Sequence, residues 1–159
     1  MKLFRITNRL YANNFSGKGA SFEDGARWNS AGHPVIYFGL NMATAMVEAA
    51  NYLPNPRLVP VSHCKATYEL PDTVSFLELA ISNLPEDWQD MPYPRSTQLI
   101  GDEFLMSQKA LMLKVPSVAI GAGEYAVAVV NPQHPDIHQI KLTGTEQPVY
   151  STRMFSGLS

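Results

Sequence analysis

The stretch PVIYFGLNMATAMVEAANYLP, residues 34–54, changes its period midway. Val35, Ile36, Tyr37 and Phe38 are β-branched or aromatic and follow a Gly-His-Pro turn, which predicts a buried strand over 34–38. Asn41 then offers an N-cap. From Met42 to Leu53 the apolar side chains recur at helical spacing, Ala45, Ala49 and Tyr52 in one row and Met46, Ala49 and Leu53 in the next, until Pro54 stops the run. A strand feeding directly into a helix is the result. Glu48 stands in the middle of that helix, among alanines, Met46 and Val47.

Outward from this unit the pattern stays mixed. KLFRI (2–6) reads as an opening strand, and the Asn/Ser/Gly-rich segment 13–25 as a loop that delivers Arg27. Downstream, 58–70 and 73–79 read as two strands around the turn Pro71-Asp72, and PEDWQDMPYPRS (85–96) as a proline-rich surface segment. Ser96 is placed to cap a helix running through Lys109. YAVAVV (125–130) predicts an apolar strand, NPQHP a turn, and HQIKL (138–142) the last strand. The fold class is therefore α+β. No repeat, low-complexity tract or linker divides the chain, so a single domain over 1–159 is expected, with its core at about 2–142 and a C-terminal extension over 143–159.

Composition narrows the function classes. A chain of 159 residues is long enough to bury about 70% of the surface its unfolded form exposes, so it needs no disulfide or metal staple. The single cysteine, Cys64, cannot form an internal bridge, and it joins none of the four histidines at a metal-ligand spacing. No metal is expected, and a reducing, cytoplasmic setting fits. The N-terminal MKLFRITNRLYANNF is broken by Arg5, Asn8 and Arg9 before an apolar signal-peptide core can form, and no run approaches the length of a membrane span. A formal charge of −2 and a pI near 6.0 leave no global basic footprint, which argues against direct nucleic-acid binding.

Several side chains have both an ordinary and a chemical reading. Arg27 is either a solvated surface charge or a planar fork for phosphate or ribose oxygens. Tyr37 is a core aromatic or the wall of a site. A carboxylate at Glu48 belongs at a helix edge or at a functional site. Ser117 follows LMLKVP, where its hydroxyl either caps a turn or meets a ligand. GAGEYA (121–126) precedes a strand instead of following one, so it reads as a turn and not as a dinucleotide fingerprint. His63, Cys64 and His134 do not make a Cys–His enzyme, because SHCKATYEL reads as a strand that buries Cys64 as a small hydrophobe.

As a set, GARWNSAGHPVIYFGLNMATAMVEA followed by STQLIGDEFL, LKVPSVAI and NPQHP resembles the RES domain, the toxin half of RES–Xre toxin–antitoxin pairs. That family is named for an Arg, a Glu and a Ser, and the matching positions here are Arg27, Glu48 and Ser117. Where family members often carry an Asn in the strand before the Asn-Pro turn, this chain has Val127. The resemblance implies a single ADP-ribosyltransferase-like domain, a mixed β-sheet core flanked by helices. It implies NAD as substrate, NAD depletion or ADP-ribose transfer as outcome, and silencing by an Xre-type helix-turn-helix antitoxin protein. A homo-oligomer is compatible with the apolar content.

Under that resemblance the candidate catalytic residues are Arg27, Tyr37, Glu48 and Ser117, and Arg27, Trp28, Tyr37, Ser117 and Asn131 are the candidate NAD contacts. Cleaving the nicotinamide–ribose bond develops positive charge at the ribose. Glu48 would stabilise that charge, Arg27 would hold the diphosphate or ribose, and Tyr37 would wall the nicotinamide. Ser117 would bond the nicotinamide amide or orient Glu48. A non-catalytic nucleotide- or partner-binding module is the alternative from another class.

Overall fold

The structure, a computed structural model, describes residues 1–157. Seven strands form one mixed sheet: β1 (Lys2–Asn8), β2 (Ile36–Gly39), β3 (His63–Glu69), β4 (Phe76–Glu78), β5 (Met112–Val115), β6 (Val127–Val130) and β7 (Lys141–Glu146). Their spatial order is β4-β5-β6-β2-β1-β3-β7, antiparallel throughout except for the parallel β4–β5 pair at one edge. Among the described residues three α-helices accompany the sheet: α1 (Ala20–Asp24), α2 (Met42–Ala50) and α3 (Arg95–Ser107). Among the described residues no helix is long and apolar enough to cross a membrane.

Alternation along the central strands builds two cores, one on each face. Ile36 and Phe38, Met112, Ala128 and Val130 point into a cluster with Leu3, Cys64 and Tyr68. Their neighbours Val35, Leu113, Val115, Val127 and Val129 point the other way, against Trp28, Trp88, Phe104 and Leu105. All four residues of β6 are buried, because the strand lies inside the sheet with both faces covered.

Strand β2 passes into α2 as the sequence indicates. Asn41 is the N-cap, its side chain accepting the Thr44 N–H at 2.8 Å. A Cβ on Gly39 would lie 2.7 Å from the Asn41 carbonyl and 2.8 Å from the Ala45 nitrogen, so only glycine lets the helix start this close to the strand. The helix ends three residues before Leu53. Pro54 disfavours helical backbone at Leu53, and the last residues close in tighter bonds, Tyr52 N to Ala49 O and Leu53 N to Ala50 O.

Other boundaries move for similar reasons. The strand expected over 58–70 begins only at His63, since the proline-rich approach forms a 3-10 turn at Pro56–Leu58 and a further turn at Pro60. Strand β4 is three residues long, at the sheet edge. Ser96 does not cap α3. The helix starts one residue earlier, after Pro94, and the Ser96 hydroxyl donates instead to Asp87 Oδ1 at 2.5 Å. His138 belongs to a 3-10 turn, and the last strand runs on to Glu146, across the expected edge of the core. Two elements were not expected from the sequence, α1 within the 13–25 loop and β5 as a central strand.

Candidate active site

The Arg27 loop crosses the face of the sheet that Tyr37 shares, and α3 holds it there. Gly101 on α3 makes the approach feasible, because a Cβ there would overlap the Trp28 carbonyl. Next to it, the Asp102 carboxylate is 4% exposed and gathers four groups. It accepts the Ser30 N–H at 2.9 Å and the Ser30 hydroxyl at 2.6 Å, and it lies 3.4 Å from both His33 Nδ1 and Arg95 Nη1. Gln98 Nε2 adds a bond to the Ala26 carbonyl at 3.1 Å. A buried carboxylate with this many donors is satisfied, so it pins the loop.

Asn29 completes the brace. Fully buried, it donates to the carbonyl of Ser21 at 2.7 Å and to that of Ser30 at 3.1 Å, while its Oδ1 accepts the Tyr37 hydroxyl at 2.7 Å. The same hydroxyl accepts the Trp28 N–H at 3.2 Å. Burial pushes the Tyr37 pKa well above the usual tyrosine value, opposed only by the Trp28 N–H, with Tyr52, Tyr93 and Asp102 pushing the same way as burial. Tyr37 therefore stays a neutral hydroxyl, fixed in orientation, with its ring at the edge of the second core.

Glu48 approaches from α2 and Ser117 from the loop that follows β5. The Ser117 hydroxyl donates to Glu48 Oε1 at 2.5 Å. It also accepts the Ala119 N–H at 3.1 Å, and the Ser117 carbonyl accepts from Gly121 at 2.7 Å, so the residue caps its own turn while orienting the carboxylate. Ser117 is 2% exposed. One atom thus caps the turn and contacts Glu48.

Arg27 faces the proline-rich segment. Its guanidinium donates to the carbonyls of Trp88 at 2.5 Å and Asp90 at 3.1 Å, approaches Met91 Sδ at 3.5 Å, and stacks 5.3 Å from the centre of the Tyr93 ring. No ion pair among the described residues involves Arg27. Tyr52, at the end of α2, connects the Glu48 helix with the proline-rich segment. Its hydroxyl meets that of Tyr93 at 2.9 Å and lies within electrostatic reach of both Glu48 and Arg27. Desolvation first and the Tyr93 bond second raise its pKa.

Arg27, Tyr37, Glu48 and Ser117 come from four separate segments and share one neighbourhood: Tyr52 and Tyr93 lie between Arg27, Tyr37 and Glu48, and Ser117 holds Glu48. Trp28 does not face it with its ring, which is 3% exposed in the core beside Trp88 and Phe104. Only its backbone N–H reaches Tyr37. Asn131 lies outside the cluster, past the end of β6 opposite to Val127, and its side chain is engaged by the Leu105 carbonyl and the Gln133 N–H. Val127 stands at the site end of β6, paired with Gly39 and Val115. Asn29, Asp102, Tyr52 and Tyr93 were not singled out in the sequence. Asp102 is one charge in a helix, and only its distant partners reveal what it does.

Sequence comparisons agree on one family. The RES domain profile matches residues 2–151. The Prs ADP-ribosylating toxin of Sphingobium is 33% identical over 145 residues, covering 90% of this chain and 88% of that protein. Toxin Res of Yersinia enterocolitica is 31% identical over 135 residues, 84% of this chain and 86% of that protein. Toxin Res of Pseudomonas putida is 34% identical over 143 residues, 89% and 92%. A chain from the crystal structure of the M. tuberculosis MbcT–MbcA toxin–antitoxin complex has the same fold, with a TM-score of 0.70 at 20% identity over 91% of this chain and 82% of that one.

Proposed function

Since the chain belongs to the RES domain family, we propose that it is the toxin of a toxin–antitoxin pair and that it cleaves the nicotinamide–ribose bond of NAD. The observation that carries this reading is a carboxylate, Glu48, held by a buried serine, with Tyr52 between it and an arginine that has no acidic partner among the described residues. That is the arrangement the chemistry needs. Loss of neutral nicotinamide leaves positive charge on the ribose, and a fixed carboxylate stabilises it without having to reorganise. Arg27 supplies the opposite charge for the diphosphate, as a planar fork that stays protonated. The Tyr37 ring, immobilised through Asn29, limits how the nicotinamide can lie. Water accepts the ribosyl carbon, giving ADP-ribose, nicotinamide and a proton.

Transfer of ADP-ribose to a protein is the second reading, favoured by the similarity to the Sphingobium ADP-ribosylating toxin. Both readings share the cleft and differ in the acceptor. The partner proposed is an Xre-type helix-turn-helix antitoxin that covers the cleft, and co-purification with the product of the neighbouring gene tests it.

A time course of NAD with the purified protein, following nicotinamide and ADP-ribose by chromatography, tests the activity. The expected result is equal release of both, reduced on the order of a hundredfold or more in Glu48→Gln, which keeps the shape and removes the charge, and likewise in Arg27→Ala. Parental turnover by Glu48→Gln overturns the assignment. Nicotinamide release without matching ADP-ribose, in the presence of cell proteins, moves the reading to the transferase.

A further inference from the structure

The hydrolase reading uses Glu48, Ser117 and Arg27 and leaves the two tyrosines beside them, Tyr52 and Tyr93, without a role. Tyr52 lies four residues beyond Glu48, in the turn that closes α2, and its side chain is 70% exposed. A large aromatic ring left open within electrostatic reach of Glu48 and Arg27 is a poor packing element and a good platform. Its hydroxyl is tethered at 2.9 Å to that of Tyr93. Tyr93 is itself held: Pro94 restricts it to extended backbone, and its ring lies 5.3 Å from the Arg27 guanidinium. The bond to Tyr93 restrains the ring of Tyr52 before any ligand arrives, which lowers the entropy lost on stacking against it.

Geometry decides which part of a ligand reaches it. The bond to be broken must sit at Glu48, whose partner Ser117 is buried, so the nicotinamide end of a dinucleotide enters first. Arg27 then meets the diphosphate, and the far nucleoside continues past the Tyr93 ring that stacks on Arg27, where the exposed Tyr52 is bonded to it. We propose that Tyr52, braced by Tyr93, is an aromatic subsite that stacks the planar base of the adenosine half of the dinucleotide; this rests on the reading of NAD as substrate. Base stacking on an aromatic side chain tolerates many bases, because each has a π-face, so the subsite recognises a second nucleoside more than a particular one.

The test compares two probes by calorimetry. ADP-ribose carries the adenosine half, and nicotinamide mononucleotide lacks it. In Tyr52→Leu the affinity for ADP-ribose is expected to fall on the order of tenfold, while that for nicotinamide mononucleotide is unchanged. Tyr52→Phe keeps the ring and loses only the hydroxyl bridge, so its ADP-ribose affinity falls no more than about two- to threefold. Equal affinity of parent and Tyr52→Leu for ADP-ribose overturns the subsite, as does an equal loss for both probes, or no ADP-ribose binding by the parent. If the parent binds ADP-ribose through Tyr52 and leaves NAD intact, the subsite stands and the hydrolase reading falls.

Discussion

Ser117 has one hydroxyl and two partners, and that sets what its removal does. It donates to Glu48 and accepts from Ala119. Ser117→Ala leaves the Glu48 carboxylate without its orienting donor and the Ala119 N–H without an acceptor. The second loss is a local turn contact, worth about 1 kcal/mol. The first acts on the transition state, because a carboxylate free to rotate must reorganise as charge develops. The expected outcome is a melting temperature lowered by a few degrees and a kcat for NAD cleavage lowered by about ten- to a hundredfold with KM little changed, read from steady-state kinetics of the two proteins. A change in KM alone would place Ser117 on the bound substrate instead. The residue is legible in sequence as a hydroxyl released by Pro116 after an apolar run. That it caps and orients simultaneously is not, because Glu48 is 69 residues away.

At the scale of elements, the loop from Gly25 to His33 has little regular structure of its own, and α3 supplies what it lacks. Asp102 accepts from Ser30 and faces His33 and Arg95, Gly101 admits the Trp28 carbonyl, and Gln98 holds Ala26. Gly101→Ala forces the helix and loop apart, since the added carbon overlaps a carbonyl and not a flexible side chain. Overpacking of this kind costs about 1–3 kcal/mol, and the displacement moves Arg27 and strains the bonds that Trp28 and Asn29 make to Tyr37. The expected result is a lower urea midpoint and a loss of NAD turnover larger than that fraction unfolded explains. Turnover retained in proportion to folded protein would mean that the loop is positioned without α3. The β2–α2 unit was legible because capping, period and Pro54 all act within a few residues. Strand β5 was not, because three apolar residues and one lysine ahead of a proline are too few to show a period that distinguishes them from a buried turn. The brace on Arg27 was hidden for a different reason: its partners come from α1, β2 and α3, and such pairings follow from packing and not from local pattern.

For the whole molecule, two apolar faces around one sheet make the chain sensitive to alkali. Burial holds the Tyr68 pKa up to about 12 and raises those of Tyr37 and Tyr150 as well. The buried Cys64 thiol is raised by the same cause, partly offset by the charge of Arg9. In the unfolded chain these groups ionise near their ordinary values, about 8.5 for cysteine and about 10 for tyrosine. Between those values and the folded ones, the native state keeps protons that the unfolded state has released. The number of bound protons is then smaller in the unfolded state, and stability falls as pH rises. Below the unfolded values the contribution is complete, so the denaturation midpoint should be flat with respect to these groups up to about pH 8. It should decline from about pH 9 and steepen from about pH 10 toward pH 12. Tyr68 tests the assignment best, being fully buried with its hydroxyl donating to the Ala12 carbonyl at 2.6 Å. Tyr68→Phe is expected to lower stability at neutral pH by about 1–3 kcal/mol through the unpaired carbonyl and to make the decline between pH 10 and 12 shallower. A variant that is destabilised equally at pH 7 and pH 11.5, measured by urea denaturation at both, would show that the Tyr68 proton is not what the folded state retains.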